Sequence, residues 1–339
     1  MSATRIPLNF FGMPFGLAGL GGGWLTMADY GQVPKAVGDV LLALAALVWL
    51  ILVVGYLRYV LSDRSAFVRD LLDPIAAPFA SLIVVTPMLL AAEGLYPHSA
   101  GAGRALTDVF LVLTVLLGAW VTGQWIYGPV ELDKFHPGYF LPTVAGGLLA
   151  SATAAEVGQR LLAEVMFGYG MICWLVLGSI ILGRLLMRPL LPPPLLPTLA
   201  IEIAPAAVAT LAYFALHGDR IDPVVAFLAG YGMLMVLAQM RMLPAYLRLP
   251  FMPSTWAFTF SWAAVATAGI HWLDAIRPSG FRVYEYLVLA AITALIGGIA
   301  VRTLVAIGRG QLLPRPPAAS APPAAEVPAS SSALAEPRA

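Results

Sequence analysis

Charge is what this chain most lacks. Only 11% of its 339 residues are Asp, Glu, Lys or Arg, against 60% hydrophobic. A soluble domain carries about a quarter charged residues to cover its surface, so water is excluded as the main solvent and a lipid bilayer is required. The net charge of +1 gives no field that would gather nucleic acid or an acidic partner. Cysteine is also nearly absent: Cys173 stands alone in an apolar run, which excludes an intrachain disulfide. The four histidines, His98, His136, His217 and His271, lie near span ends without metal-ligand spacing. No Walker motif is present, which removes ATP-driven pumping by this chain, and no serine, histidine and acid group stand out as a triad. No cofactor is implied. A cleavable signal is missing as well: Arg5 runs straight into a Gly- and Pro-bearing hydrophobic stretch without an A-x-A site, so the first span is expected to stay in the mature protein.

Long apolar runs are what the chain has. They cover roughly 8–29, 36–61, 75–96, 105–127, 138–156, 160–186, 196–216, 222–243, 251–273 and 283–308. Backbone groups in lipid must be satisfied within the segment, so these runs predict an all-α integral membrane domain of ten spans. Turn signals such as His136-Pro137-Gly138, Pro192-Pro193-Pro194 and Pro278-Ser279-Gly280 separate them. The membrane domain is expected over 1–310. A disordered cytoplasmic tail is expected over 311–339, where from Pro314 onward the chain is mostly Pro, Ala and Ser. With ten spans, 13 Lys and Arg fall on the side of both termini and 6 on the other, which predicts cytoplasmic termini.

Proline placement carries the most internal information. Pro14, Pro87, Pro142 and Pro205 fall inside spans one, three, five and seven, about one two-helix unit apart, while the even spans have none in their middles. This pattern predicts a diverged helical-hairpin repeat. Each proline removes a backbone hydrogen bond, and the freed carbonyl must face protein, water or a pore. Odd spans are therefore expected to form an inner ring and even spans an outer one facing lipid. The competing reading is that the prolines only shape packing.

Ionisable groups are few. Glu202, three residues before Pro205, is either a proton or substrate site or a structural carboxylate paired with Arg184 or Arg188. Glu93, Asp108, Glu156 and Glu164 are expected at the outer boundary, and Gln124 and Gln239 as interhelical hydrogen bonders. Asp70 and Asp73 form a lone D-x-x-D, the one motif behind a membrane-enzyme reading, and a solvated loop helix accounts for it. The inner spans hold no Lys or Arg in their cores, so any anion preference has to come from backbone amides and helix ends. Such a pore selects weakly and favours anions that dehydrate easily.

Four stretches in order carry a resemblance: Phe11-Gly12-Met13-Pro14-Phe15-Gly16, Pro137-Gly138-Tyr139-Phe140-Leu141-Pro142, Ile203-Ala204-Pro205-Ala206-Ala207, and Trp256-Ala257-Phe258-Thr259-Phe260. Over about 5–310 the chain resembles the bacterial tellurite-resistance/C4-dicarboxylate transporter family, related to the slow anion channels of plant guard cells. The resemblance implies five helical hairpins around a quasi-fivefold central pore, with odd helices inside. It also implies a homotrimer with one pore per protomer in the bacterial inner membrane. A phenylalanine of the ninth helix is implied as the pore gate, which falls on Phe260, with Phe258 as the second aromatic to test. Gly12 is implied as a small residue facing the pore, beside Pro14, Pro87, Pro142 and Pro205 on the inner helices. Plant members tend to carry proline directly after the gating phenylalanine, where this chain has Ser261 and Trp262, so the ninth helix is expected to be straighter. The function so implied is passive, gated transport of small inorganic anions or dicarboxylates. The alternatives are a proton-coupled carrier of C4-dicarboxylate, sulfite or tellurite sensed by Glu202, an integral membrane enzyme, and a sensor acting through its tail.

Overall fold

A computed structural model describes residues 5–313; the expected tail from Pro314 onward lies outside the described residues. The chain opens with a 3-10 turn, Leu8–Phe11, that runs into α1 (Gly12–Asp29). Helix α2 (Lys35–Ser62) returns and is followed by the short α3 (Ala66–Leu72). The next crossing starts with a 3-10 turn, Ala77–Ser81, continues as α4 (Leu82–Leu89) and ends in a π turn, Leu90–Leu95, before α5 (Ala100–Tyr127). The 3-10 turn Pro137–Phe140 and the π turn Leu141–Ala145 lead into α6 (Gly146–Glu156), followed by α7 (Arg160–Met187). A 3-10 stretch, Pro193–Ile203, becomes α8 (Ala204–His217), and α9 (Pro223–Tyr246) follows. Finally a 3-10 turn, Pro253–Trp256, enters α10 (Ala257–Ile276), and α11 (Phe281–Gly308) ends the described chain.

Two kinds of helix therefore alternate. Five are long and uninterrupted: α2, α5, α7 and α11 have 28 residues each and α9 has 24. The others begin in tight 3-10 turns at or near prolines, where a chain lacking an N–H cannot continue an α-helix. Among the described residues seven segments are long and apolar enough to cross a membrane, and the protein is an α-helical membrane protein. The stretches around α1, α6 and α10 fall outside that set, diluted by glycine in α1, by glycine, serine and threonine in α6, and by tryptophan, His271 and Asp274 in α10. Burial separates the two kinds. The segments Ala77–Leu95 and Pro193–His217 are 67% and 78% buried, whereas the five long helices are only 17–28% buried and present Leu, Ile and Val outward. Apolar surface facing outward is what hydrocarbon requires.

The interrupted helices touch one another in turn. Helix α1 packs against α4 and α10, α4 against α6, α6 against α8, and α8 against α10, so the contacts return to their start. Each also packs against the long helix that follows it in the chain.

Pro87 shows how a freed carbonyl is satisfied. A proline at this position leaves the Ile83 carbonyl without its helical donor. The Trp49 indole of α2 donates to that oxygen at 2.9 Å. Trp49→Phe is expected to cost about 1 kcal/mol by orphaning a part-buried acceptor, read as a lower Tm. In a Pro87→Ala background the penalty should shrink, because the new N–H takes over Ile83. Equal penalties in both backgrounds would contradict this assignment.

The D-x-x-D carboxylates are both engaged structurally. Asp70 is buried, accepts from Arg5 at 2.9 Å and from the Tyr56 hydroxyl at 3.1 Å. Asp73 accepts from the backbone N–H groups of Ile75 and Ala76. His136, fully buried ahead of Pro137, accepts from the Gly138 N–H at 3.1 Å and reaches the Ile75 carbonyl at 3.3 Å. Burial pushes its pKa down to about 4, despite the Ile75 carbonyl. The unfolded chain takes up this proton below about 6.5 and the fold does not, so stability falls as pH drops through that window. The loss is on the order of 2–3 kcal/mol at pH 4.5. Melting curves at pH 7.5 and 4.5 check it, and His136→Gln should reduce the difference between them.

Candidate pore lining around Phe260

Phe260, Ala264, Thr267 and His271 recur on α10 at the spacing of one helix face, and all four line one cavity. Opposite them, α1 offers glycines. A Cβ at Gly16 would collide with the Thr259 side chain and approach the Trp256 ring to 3.3 Å, one at Gly19 would come within 2.8 Å of the Phe260 ring, and one at Gly23 within 3.0 Å of the Thr267 hydroxyl. Glycine is therefore what lets α1 and α10 approach so closely. The Phe260 ring stacks on Phe15 of α1, with centroids 3.6 Å apart and planes 14° from parallel.

Two cavities meet at this ring. The first, about 50 Å³, lies at the N-terminal ends of the interrupted helices. Gly12, Leu82, Ala204 and Ala257, the first residues of α1, α4, α8 and α10, line it together with Ala145 just ahead of α6. Its walls are aromatic and aliphatic, and no residue lining it is charged. The second cavity, about 430 Å³, lies toward the C-terminal ends and holds Asp29, Glu93, Glu156, Asp219, Lys35 and His271. Phe260 and Val208 line both.

Beside the second cavity three side chains from distant parts of the chain converge, two of them, Asp219 and His271, lining it. The Tyr30 hydroxyl donates to Asp219 at 2.5 Å and lies 2.7 Å from His271 Nδ1, which lies 3.0 Å from the same carboxylate. Burial works against the Asp219 charge, but the bonds from His271 and Tyr30 outweigh it and hold its carboxyl below the usual range.

The residues singled out from the sequence are distributed unevenly. Gly12, Pro205 and Phe260 line the first cavity. Pro14, Pro87 and Pro142 are buried but line neither cavity. Phe258, two residues from Phe260 and so on another face of α10, packs edge-on against Tyr246 of α9 at 4.9 Å. Glu202 is buried, lines neither cavity, and makes no bond to Arg184 or Arg188. Arg184 instead donates to the carbonyls of Pro189 and Asp133. Glu93 and Glu156 face the second cavity, whereas Glu164 pairs with Arg160 on the surface and Asp108 accepts from Gln159. Gln239 bonds the Leu199 carbonyl across helices at 2.8 Å. Phe15 entered only as part of a resemblance stretch and His271 only as an isolated histidine, and neither Val208 nor the Tyr30–Asp219–His271 cluster was expected from the sequence. The glycines at 12, 16, 19 and 23, spaced as one face of α1, were the signal that could have found the first of these.

An α-helical membrane bundle with uncharged and charged cavities end to end along its buried helices belongs to the class of membrane channels and transporters. Residues 5–304 match the family model described as voltage-dependent anion channel, and the chain belongs to that family. It is 27% identical over 310 residues to the tellurite resistance protein TehA homolog of Haemophilus influenzae, which spans 90% of this chain and 92% of that protein.

Proposed function

We propose that the chain is a passive, gated channel for small anions. In this reading ten helices form five hairpins, the interrupted members surround a central passage, and Phe260 closes it. One observation carries the reading: a single ring, stacked on Phe15, lines both cavities along the buried helices. A benzyl group across a narrow passage displaces water and leaves an ion partly dehydrated in a low-dielectric setting. The closed circuit of helix contacts supports the hairpin arrangement. Family membership supports the anion, and so does the start of α-helices at the uncharged first cavity, because helix N-terminal ends carry positive partial charge. A homotrimer in the inner membrane, with both termini cytoplasmic, completes the proposal; the outward apolar faces of the long helices suit either lipid or neighbouring protomers.

A second reading, proton-coupled transport of C4-dicarboxylate, sulfite or tellurite, draws on the four carboxylates of the second cavity and on the relative's name. Glu202, buried and lining neither cavity, lends this reading no support. Anion-driven swelling of proteoliposomes tests both readings. Channel behaviour gives flux down the gradient without a pH difference, while coupled transport requires one. Silence of wild type and Phe260→Ala alike toward chloride, nitrate and dicarboxylates would end the channel reading.

A further inference from the structure

The second cavity is acidic, and most of its charge is unpaired. Asp29 at the end of α1, Glu93 in the π turn after α4 and Glu156 at the end of α6 all line it. Among the described residues none of these three side chains is in a hydrogen bond or an ion pair, and neither is that of Lys35, which also lines the cavity. The Glu93 Oε2 is buried with no donor and lies against α1, where a Cβ at Gly22 would meet it at 3.0 Å. A carboxylate oxygen taken out of water without a partner is costly, so this one calls for a positive charge from outside the chain. Glu156 is near enough for its charge to act on Glu93, and Asp29 for its charge to act on Glu156. The three therefore run in series from a buried oxygen to the rim, where Asp29 and Lys35 are exposed.

The walls specify the kind of cation. Among the described residues no three metal-ligating side chains gather closely enough to hold a metal ion. The cavity, about 430 Å³, has the size of a small-molecule pocket and not of a single ion. Tyr96, Phe214 and Phe260 add aromatic rings, whose faces attract ammonium groups and whose apolar bodies suit methylenes. We propose that the second cavity binds a linear organic diammonium ion, one ammonium group at Glu93 and Glu156 and the other at Asp29, and that the bound ion obstructs the passage beside Phe260. The site stands apart from the channel reading, and only the obstruction rests on it. Once one ammonium group is seated the other meets its carboxylate at high effective concentration, which favours a diammonium ion over two separate cations.

The test measures equilibrium binding of 1,4-diaminobutane to the full wild-type chain at fixed ionic strength. A Kd of about 1 mM or tighter is expected, with butylamine, which has one ammonium group, about tenfold weaker. Glu93→Gln should weaken diaminobutane about tenfold and Asp29→Asn about threefold, each by removing a charge partner. Glu164→Gln, on the surface beside Arg160, should leave it unchanged. Asp29 is exposed, so Asp29→Asn keeps the test valid if Glu93→Gln does not fold. Binding equal in wild type, Glu93→Gln and Asp29→Asn, or abolished when sodium replaces other salt at the same ionic strength, would overturn the site. In liposomes carrying Phe260→Ala, diaminobutane should slow chloride entry at least about tenfold, and adding Glu93→Gln should relieve it. Chloride entry untouched by bound diaminobutane would overturn the obstruction. A silent Phe260→Ala parent would end the channel reading, with the binding assay still deciding the site.

Discussion

Phe260→Ala should raise anion conductance by about a hundredfold or more over wild type. The ring lines both cavities, stacks on Phe15 and lies against Gly19. In the proposed channel, truncation to a methyl opens a path between the cavities and removes the dehydration step. Each 1.4 kcal/mol taken off a barrier gives a factor of ten, so relief of about 3 kcal/mol accounts for the expected rise. The stacking lost with Phe15 is worth only about 0.5–1.5 kcal/mol, so the variant should stay folded. Phe260→Leu should conduct at an intermediate level. Gly19→Ala offers an independent probe: its methyl meets the ring edge and pushes it aside, so it too should leak. A properly folded Phe260→Ala that conducts no better than wild type would take Phe260 out of the gate.

Gly16→Leu should lose the fold rather than the gate. The α-carbon of Gly16 faces the Thr259 and Trp256 side chains where α1 crosses α10. Thr259 is tied down by its own bond to the Trp256 carbonyl at 2.7 Å, and the Trp256 indole donates to Thr303 of α11 at 2.9 Å, so neither neighbour can yield. Overpacking a tight site costs about 1–3 kcal/mol for added methylenes, and a whole isobutyl group forces the two helices apart. The expected outcome is little or no folded protein by size-exclusion chromatography, with Gly16→Ala recovered at a lower Tm. Recovery of Gly16→Leu at the wild-type Tm would show that the α1–α10 crossing is looser than described.

Much of the architecture was legible because lipid leaves so few choices. The apolar runs and the near absence of charge led to membrane helices, and the prolines at 14, 87, 142 and 205 singled out the stretches that are interrupted. What those prolines do locally was less legible. They are associated with 3-10 and π turns, and the Ile83 carbonyl freed by Pro87 is satisfied by Trp49 of the neighbouring helix and not by a pore. The difference between Phe260 and Phe258 follows from helical geometry, since two residues along an α-helix turn the side chain about 200°. Partners brought together by the tertiary fold were out of reach. Tyr30 and His271 are 241 residues apart, and Arg184 took two backbone carbonyls in place of the expected Glu202.

In the proposed channel Phe260 closes an anion-selective passage. Its most direct test is the zero-current potential of Phe260→Ala in a planar bilayer under a gradient of potassium chloride, with wild type alongside. The expected result is a conductive variant whose potential lies near the equilibrium value for chloride, and a nearly silent wild type. A potential near that of potassium, or wild-type current equal to the variant's, would contradict it.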